Sequence, residues 1–401
     1  MEAVILAAGE GMRMRPLTFN RPKAMLPIAN KPILEHIIIE AKKAGITDFV
    51  MVVGYKDERI KDYFGNGNKW GVGILYRLQR QAMGTADALR MAQGVVREKF
   101  LVLNGDIIIN EQDIRRLSQS DQITIGVKEV ENPSGLGIIE EKYGLVRHIF
   151  EKPAVPTSKL ANTGAYLMTE QIFPALSRTK ESTRGEFELT GSLEMLIEQG
   201  VPVRCETIGN WQDIGYPWDL LDANARVLSG MSMSNDGTIE ENVHIEGICN
   251  IERGTVIRSG SYIVGPVCIG RNCGIGPNCY IRPATSIGDN CRIGACVEIK
   301  NSIVMRGTKI PHLSYVGDSV IGENCNLGAG TKIANLRLDK NTIYVNGRDT
   351  KRNKLGAILG DGVMTGINVS INAGSVIGNN AWIGPGMLAT GVIPDLSLIH
   401  I

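Results

Sequence analysis

The first residues that could do chemistry are glycines and cations that follow an apolar segment at the amino terminus. Gly9, Gly11 and Arg13 come directly after the apolar segment 2–6, and a proline-framed Lys23 follows them. Glycine lets backbone N–H groups close on phosphate oxygens, while arginine and lysine neutralise the phosphate charge. The segment lacks the third glycine of a dinucleotide fingerprint and the Gly-Lys-Ser/Thr of a Walker loop. It predicts a phosphate-binding loop, with a solvated turn as the simpler alternative.

Two aspartates could bind a metal ion. Asp106 follows the apolar segment 100–103, and Asp213 precedes a predicted helix over 217–228. A carboxylate at the carboxyl end of a strand is well placed to hold Mg²⁺, which prefers oxygen ligands and bridges phosphates. The alternative for Asp106 is that its side chain caps the next helix.

The elements that must position these residues alternate between strand and helix. The pattern predicts strands over 2–6, 49–53, 73–76 and 100–103, and helices over 33–43, 57–64 and 85–92. Such alternation is typical of a parallel α/β sheet, whose ligands bind at the carboxyl ends of the strands. The amino-terminal half is therefore predicted to be a Rossmann-like α/β domain.

The carboxy-terminal half carries an isoleucine at every sixth position over a long stretch. These residues are Ile239, Ile245, Ile251, Ile257, Ile263, Ile269, Ile275, Ile281, Ile287, Ile293 and Ile299. A helix face repeats near 3.6 residues and a strand at 2, so a period of six indicates the coils of a hexapeptide β-helix. The fourth position after each of the first ten isoleucines is Val, Cys, Thr or Ser, and we expect these small residues to fill a second corner of the coil.

Two interruptions of this repeat are potential functional segments. The step of 22 residues from Ile299 to Ile321 is not a multiple of six, so we expect regular stacking to fail there. A further 26 residues separate Ile333 from Leu359 and include the basic, turn-rich segment 346–354. Because excursions from a solenoid project from one face, part of 334–355 is predicted to be a loop outside the coil.

Composition excludes several classes of partner. The 43 basic residues are balanced by 42 acidic residues, so bulk charge predicts no binding to nucleic acid or to an acidic membrane. No apolar run approaches the roughly 20 residues of a membrane span, and no signal-peptide pattern is present, so we expect a soluble cytoplasmic protein. The eight cysteines include no Cys-x-x-Cys pair and are expected to be reduced packing residues.

Together, the runs 6–13 (Leu-Ala-Ala-Gly-Glu-Gly-Met-Arg) and 21–27 (Arg-Pro-Lys-Ala-Met-Leu-Pro) resemble the sugar-1-phosphate nucleotidylyltransferases. With the hexapeptide repeat behind them, the whole chain resembles the bifunctional enzymes that make UDP-N-acetylhexosamines. Within the N-acetylglucosamine-1-phosphate uridyltransferase family, it is similar to the archaeal type. The resemblance implies a nucleotidylyltransferase domain over residues 1–229 and a left-handed parallel β-helix acetyltransferase domain over residues 230–401.

The resemblance also implies roles for residues of the amino-terminal half. Arg13 and Lys23 would be catalytic and stabilise charge at the α-phosphorus of UTP or dTTP during attack by a hexose or hexosamine 1-phosphate. Nucleotide contacts are implied for Leu6, Ala8, Gly9, Gly11, Gln79, Gly84 and Thr85. Sugar contacts are implied for Gly137, Glu151, Asn162 and Thr190, and binding of Mg²⁺ for Asp106 and Asp213.

The run 311–318 resembles the acetyltransferase site of these enzymes. There, His312 would remove a proton from the sugar amine as the amine attacks acetyl-CoA, the co-substrate. The acceptor sugar phosphate is assigned by resemblance to Arg282, Lys300, Tyr315, Asn326 and Asn335, and acetyl-CoA to Ala329. Enzymes of this type trimerise with acetyl sites between subunits, so a homotrimer or a multiple of trimers is expected.

Three questions stay open at the level of sequence. Leu336 stands where the bacterial enzymes carry a tyrosine, so the preferred hexosamine is open. The chain could be a nucleotidylyltransferase whose repeat serves only oligomerisation or regulation. It could also be a non-catalytic regulatory subunit, although such a subunit would be expected to have lost Arg13, Lys23, Asp106 or Asp213, and all four are present.

Overall fold

The computed structural model of this chain describes residues 1–399. Its strands and helices group into two units. The first unit contains Met1–Gly11, Asn20–Leu26 and Pro32–Asp213. The second contains Met12–Phe19, Pro27–Lys31 and the chain from Ile214 onward. Two short amino-terminal segments therefore group with the second unit, while the proposed division of the chain after residue 229 stays a prediction.

The first unit is built from an alternation of strands and helices. Its strands are β1 Glu2–Ala7, β2 Asp48–Val53, β3 Gly73–Leu78, β4 Lys99–Asn104, β5 Ile107–Ile109, β6 Thr124–Glu129, β7 Ile138–Lys142, β8 Leu145–Phe150, β9 Leu160–Thr169, β10 Arg204–Thr207 and β11 Trp211–Asp213. Its helices are α1 Ile33–Lys43, α2 Asp57–Phe64, α3 Thr85–Arg90, α4 Glu111–Ser118, α5 Ile172–Leu176 and α6 Leu189–Glu198. The predicted bounds of α1 and α2 are confirmed, whereas α3 ends two residues earlier than predicted.

Nine of these strands form one mixed sheet in the order β3-β2-β1-β4-β9-β6-β10-β8-β7. The strands β3, β2, β1 and β4 are parallel, but β9 runs antiparallel to both of its neighbours, β4 and β6. The prediction of a parallel arrangement is therefore confirmed for the four strands that it named, and the sheet continues with both antiparallel and parallel pairs. The strands β1, β2 and β3 follow one another towards one edge of the sheet, and β4 then lies on the other side of β1. The strand order therefore reverses between β1 and β4, and ligands of α/β sheets bind at such a switch point.

The second unit contains helix α7 (Asp219–Ser229) and a three-faced parallel coil. The first face consists of Ser234–Asn235, Cys249–Ile251, Val267–Ile269, Thr285–Ile287, Ile303–Val304, Val320–Ile321, Ile358–Leu359, Val376–Ile377 and Val392–Ile393. The second face consists of Thr238–Ile239, Val256–Ile257, Gly274–Ile275, Arg292–Ile293, Lys309–Ile310, Met364–Thr365, Trp382–Ile383 and Leu398–Ile399. The third face consists of His244–Glu246, Tyr262–Val264, Tyr280–Ile281, Glu298–Lys300, Tyr315–Gly317, Lys332–Ile333, Ser370–Ile371 and Leu388–Ala389.

The isoleucines of the repeat form the core of this coil, as predicted. Ile257, Ile275 and Ile293 pair in register on successive coils, and none of them is more than 1% exposed. The small residues of the second corner are buried as well; for example, the Thr255 hydroxyl donates a hydrogen bond of 2.6 Å to the Gly270 carbonyl. All eight cysteines are free thiols, which confirms their assignment as reduced residues.

The predicted failure of stacking between Ile299 and Ile321 is wrong. The buried column continues through Val304, Ile310 and Val316, and Ile299 pairs in register with Val316. The apparent slip arises because two steps of the column, from Ile299 to Val304 and from Val316 to Ile321, span five residues instead of six. A period search for isoleucine misses the column here because valine fills two of its positions.

The second interruption is a true excursion, as predicted. The coil leaves the column after Ile333 and resumes at Ile358–Leu359, which pairs with Val320–Ile321 of the preceding coil. Between these points lies an antiparallel hairpin of Tyr344–Val345 and Arg348–Asp349. In residues 1–399, no helix is long and apolar enough to cross a membrane.

The continuous column predicts the stability of variants within the apparent gap. Ile310→Ala should lower the free energy of unfolding by about 2–5 kcal/mol, because Ile310 is fully buried and truncation leaves a cavity. Lys309→Ala, at the exposed neighbouring position, should change it by less than about 0.5 kcal/mol. Chemical denaturation followed by circular dichroism measures both. Equal midpoints for the two variants would contradict a continuous core.

Candidate active sites

The predicted phosphate-binding loop leaves the carboxyl end of β1 beside the ends of two other strands. The Gly105 amide donates a hydrogen bond of 2.9 Å to the Leu6 carbonyl, and the Tyr55 amide donates one of 3.1 Å to the Ala8 carbonyl. A Cβ atom at Gly54 would lie 2.9 Å from that Ala8 oxygen, so the backbones approach closely. A Cβ at Gly9 would meet no atom within 4 Å, and this part of the loop is therefore open to a ligand.

Lys23 and Asp106 form an ion pair at this edge of the sheet. The Lys23 Nζ atom lies 2.6 Å from Asp106 Oδ2, with side-chain exposures of 10% and 33%. Lys23 begins a short 3₁₀ turn, Lys23–Met25, and Asp106 follows the end of β4. A largely buried ammonium group thus faces a partly exposed carboxylate near the carboxyl ends of the parallel strands.

Of the two predicted metal ligands, Asp213 ends β11, and Asp106 lies in the turn directly before β5. β11 and β5 form an antiparallel ribbon in which Asp213 pairs with Ile107, the residue after Asp106. The part of the chain that the structure describes contains no cluster of three or more metal-binding side chains. Mg²⁺ nevertheless fits two carboxylates, because this ion keeps several waters and takes further oxygens from substrate phosphates.

Arg13 groups with the second unit, whereas Gly9, Gly11 and Lys23 belong to the first. Its guanidinium carbon lies 5.1 Å from the centre of the Tyr216 ring, and that of Arg348 lies 4.7 Å from the same ring. The two cations thus share one aromatic partner. The catalytic role of Arg13 stays a prediction.

The predicted nucleobase residues form a small buried cluster. The Gln79 Nε2 amide donates hydrogen bonds of 3.1 Å to the Gly84 carbonyl and 2.8 Å to Asp87 Oδ2. Because both partners are acceptors, they fix the orientation of the Gln79 side-chain amide. Its Oε1 atom is then left to accept a hydrogen bond. Gly84 has φ +110°, and a Cβ there would lie 2.7 Å from the Phe187 amide nitrogen, which explains why glycine is required.

This cluster is hydrogen-bonded to the segment before α6. The Leu189 amide donates a hydrogen bond of 2.9 Å to the Thr85 hydroxyl, and the Ala86 amide donates one of 2.8 Å to the Phe187 carbonyl. The turn that carries Gly84 is therefore tied to the segment that carries Thr190. Sequence reasoning missed this connection because the two segments are about a hundred residues apart.

The four predicted sugar-binding residues also come together in the first unit. The Thr190 hydroxyl donates a hydrogen bond of 3.1 Å to Glu151 Oε2. A Cβ at Gly137 would lie 3.4 Å both from Glu151 Oε2 and from Asn162 Cβ, so these three residues are in contact. The Asn162 Nδ2 amide is oriented by the Tyr166 hydroxyl at 2.9 Å. The arrangement presents amide and carboxylate groups of the kind that bind sugar hydroxyls.

Sequence reasoning missed the charged groups that orient Glu151. Arg184 Nη1 lies 3.3 Å from Glu151 Oε1 and 3.0 Å from Glu188 Oε1, and so bridges the two carboxylates. Burial, together with the nearby Glu151 carboxylate, raises the pKa of Glu188. The spacing of four residues between Arg184 and Glu188 could have indicated their ion pair. The contact between Arg184 and Glu151 leaves no such signal, because the two residues are far apart in sequence.

In the second unit, a polar cluster lies along the edge of the third face, where the strands Glu298–Lys300 and Tyr315–Gly317 end. Lys300 Nζ lies 3.3 Å from Asp318 Oδ2, and the Asn335 Nδ2 amide donates hydrogen bonds to Asp318 Oδ2 and, at 3.2 Å, to the Tyr315 hydroxyl. Burial and the Asp318 carboxylate raise the pKa of Tyr315. Asp318 joins Lys300 to Asn335, which in turn contacts Tyr315, and sequence reasoning assigned Asp318 no role.

Arg282 lies at the corresponding position one coil before Lys300. The Arg282 amide donates a hydrogen bond of 2.8 Å to the Ile299 carbonyl, and its guanidinium lies 2.8 Å from Glu298 Oε1. The hydrogen bond and charge of Glu298 raise the pKa of Arg282. Two cations therefore follow one another along this edge of the coil, each paired with a carboxylate.

The remaining predicted acetyltransferase residues lie elsewhere on the coil. His312 is exposed at the corner that precedes Tyr315, and its carbonyl accepts a hydrogen bond of 2.9 Å from the Gly330 amide. Asn326 lies on the second face, where it bridges Lys309 and Met364, and the Ala329 carbonyl accepts a hydrogen bond of 2.8 Å from the Asn368 amide. Within residues 1–399, none of the three has a side-chain hydrogen bond to the Asp318 cluster.

Comparison with protein families and with known relatives covers the whole chain. A model of the nucleotidyl transferase family matches residues 2–230, and a model of the GMPPB C-terminal domain matches residues 263–381. The bifunctional protein GlmU of Methanocaldococcus jannaschii is 43% identical over 405 residues, which cover 100% of this chain and 97% of that protein. A bifunctional sugar-1-phosphate nucleotidylyltransferase/acetyltransferase of Sulfurisphaera tokodaii is 42% identical over 394 residues, with 96% of each chain covered.

Solved structures resemble more than half of this chain. A UDP-glucose pyrophosphorylase in complex with UDP-glucose is 25% identical with a TM-score of 0.52, and the match covers 57% of this chain and 99% of that chain. A Bacillus anthracis protein assigned as a glucose-1-phosphate thymidylyltransferase is 28% identical with a TM-score of 0.53, covering 59% and 98%. Because relatives at 42–43% identity match from end to end, the chain belongs to the family of bifunctional sugar-1-phosphate nucleotidylyltransferase/acetyltransferases that includes the GlmU proteins.

Proposed function

We propose that the first unit transfers the nucleotidyl group of UTP or dTTP to a hexose or N-acetylhexosamine 1-phosphate and releases pyrophosphate. We further propose that the coil acetylates glucosamine or galactosamine 1-phosphate with acetyl-CoA. The observation that carries the first proposal is the convergence of the phosphate loop, Lys23 and Asp106 at the switch point of the sheet. The Glu151 cluster in the same unit supports a sugar as the second substrate.

The reaction needs positioning and charge neutralisation more than a base. An oxygen of the sugar phosphate forms the new bond to the α-phosphorus, the bond to the β-phosphate oxygen breaks, and pyrophosphate leaves with its electron pair. The attacking oxygen is already anionic, so no proton has to be removed. Lys23, with Arg13 as the second proposed cation, stabilises the charge that develops on the transferred group.

Asp106 and Asp213 are the residues proposed to hold Mg²⁺. When bound, Mg²⁺ supplies charge neutralisation on the triphosphate and on the leaving pyrophosphate. The ion pair between Lys23 and Asp106 keeps the ammonium group at this position before substrates arrive. Lys23 can then exchange the carboxylate for a phosphate oxygen with a small movement of a flexible side chain.

The orientation of Gln79 supports a pyrimidine with a hydrogen-bond donor at N3. Its Nε2 group is engaged by Gly84 and Asp87, so the side chain offers the acceptor Oε1. Uracil and thymine carry N3–H and can donate to this oxygen, whereas N3 of cytosine is an acceptor. The chemistry therefore favours UTP or dTTP over CTP.

For acetyl transfer, the proposed roles divide between two regions of the coil. Arg282 and Lys300 bind the phosphate, while Tyr315 and Asn335 orient the sugar. His312 accepts a proton from the amine as its nitrogen bonds to the acetyl carbonyl carbon, and coenzyme A leaves as the thiolate. Because His312 and Asn326 lie away from the Asp318 cluster in one chain, we propose that a complete site forms between subunits of a homotrimer or a multiple of trimers.

The catalytic role of Lys23 predicts a large loss of activity on its removal. Lys23→Ala should lower pyrophosphate release from UTP and glucose 1-phosphate by about 10²–10³-fold, because the transition state loses a buried cation. Chelation of Mg²⁺ with EDTA should abolish turnover. Lys43→Ala, which removes an exposed cation of α1, is the control. Unchanged turnover in Lys23→Ala would rule out the proposed site.

The hydrogen bond from Gln79 predicts a change in nucleotide specificity. Gln79→Ala should lower the preference for UTP over CTP, measured as the ratio of kcat/KM values, by about tenfold or more, because the acceptor for N3–H is lost. Arg80→Ala, at the exposed next position, should leave the ratio unchanged. If the ratio survives in Gln79→Ala, another group must read the pyrimidine.

The two activities should be separable by one substitution. His312→Ala should reduce the release of coenzyme A thiol with glucosamine 1-phosphate or galactosamine 1-phosphate by about 10²–10⁴-fold, and leave pyrophosphate release unchanged. His244→Ala removes another exposed histidine of the coil and serves as the control. If the wild-type protein releases no coenzyme A thiol with either amino-sugar phosphate, the proposed acetyl transfer is wrong, and the coil would serve only in assembly.

A further inference from the structure

A cavity of about 430 Å³ lies in the second unit, on the outer side of the first face of the coil. Its floor is apolar and consists of Ile358, Val376 and Val392, which point outward from successive coils. The walls come from residues 12–19, from residues 216–218 and from the hairpin at 345–348. Its volume lies within the range of about 300–1000 Å³ that is typical of small-molecule sites.

Three guanidinium groups and the aromatic rings of Phe19, Tyr216 and Trp218 line this cavity. Arg13, Arg15 and Arg348 supply the positive charge. The Tyr216 ring stacks on Trp218 with a centroid distance of 4.9 Å and an angle of 4°. Arg348 is exposed and, in the described part of the chain, forms no ion pair, so its contact is the face of Tyr216 at 4.7 Å. The cavity therefore combines a cationic rim with flat aromatic walls and an apolar floor.

Hydrogen bonds and an ion pair hold the walls of the cavity in place. The buried Asn379 Nδ2 amide donates a hydrogen bond of 3.2 Å to the Pro16 carbonyl and ties the amino-terminal segment to the coil. Asp395, the acidic residue of the lining, accepts hydrogen bonds from the Asn379 amide nitrogen and from its Nδ2, at 2.5 and 3.0 Å. Arg352, at the base of the hairpin, is ion-paired with Asp222 of α7. The lining carboxylate is therefore engaged within the wall of the cavity.

We propose that this cavity binds a nucleoside diphosphate. A diphosphate group carries up to three negative charges and matches three guanidinium groups, which recognise phosphate oxygens bidentately. A nucleobase has flat, apolar faces that can pack over Ile358 and Val376, beside the stacked Tyr216 and Trp218 rings. Neither an inorganic anion nor a neutral nucleoside would use both parts of the lining. This binding site is additional to the proposed transferase sites and shares only Arg13 with them.

Two sources could supply this chemistry, a free nucleotide or the adenosine diphosphate portion of coenzyme A. ADP is the suitable probe, because Gln79 of the proposed catalytic site is oriented for a pyrimidine. Isothermal titration calorimetry of the full chain with ADP measures affinity and stoichiometry without turnover, so its result does not depend on the proposed function. Adenosine and inorganic pyrophosphate are the half-ligand controls.

Two variants test the location of the site. Arg348→Gln removes an exposed rim cation and should weaken ADP binding by about tenfold or more. Val392→Trp fills the cavity from a half-exposed position and should abolish binding, with folding checked by circular dichroism. Lys351→Gln removes one charge from the same basic hairpin outside the lining and should leave binding unchanged.

The outcomes separate the possibilities. Binding of ADP that is lost in Val392→Trp and weakened in Arg348→Gln, but retained in Gln79→Ala and Lys351→Gln, supports the proposal. Competition by coenzyme A would then identify it as the source, and absence of competition would identify a free nucleotide. The proposal is overturned if ADP does not bind, or if equal losses in Arg348→Gln and Lys351→Gln accompany unchanged binding in Val392→Trp.

Discussion

The second unit depends on one packing constraint, the burial of an inward side chain, in most coils an aliphatic one, on each of the three faces. Hydrogen bonds hold successive coils about 4.8 Å apart, so an empty position in the column would leave a cavity between its neighbours. This explains why Val304 and Val316 keep the column intact where the chain is one residue short. It also explains why the extra residues between Ile333 and Leu359 lie outside the coil, where they disturb no stacked side chain.

The same constraint decides where chemistry can occur in the second unit. Inward positions are occupied by the column, so polar residues are restricted to corners, outer faces and the excursion. Lys300 and Asp318 follow inward residues on successive coils, and Asn335 begins the excursion directly above them. The excursion also supplies Arg348 to the cavity on the first face. One insertion therefore contributes to two separate regions of the coil surface.

In the first unit, the corresponding constraint is close backbone approach at the ends of the parallel strands. A Cβ at Gly54 or Gly105 would lie within 3 Å of a carbonyl oxygen at the end of β1. These glycines let the phosphate loop, β2 and β4 meet, and the switch point between β1 and β4 opens the cleft there. Local glycines and sheet order together place Lys23 against Asp106.

The sequence by itself determined the β-helix and the bounds of α1 and α2, because these follow from periodicity within short stretches, while its resemblance to known enzymes supplied the candidate residues of both proposed sites. Only the tertiary structure decided that β9 pairs antiparallel with β4 and β6, that Arg184 orients Glu151, and that Asp318 joins Lys300 to Asn335. Each of these depends on pairing between distant segments, which leaves no local pattern. The apparent gap in the isoleucine repeat after Ile299 has the same cause. Valine replaces isoleucine in the column there, and only the pairing of Ile299 with Val316 in register shows that the column continues.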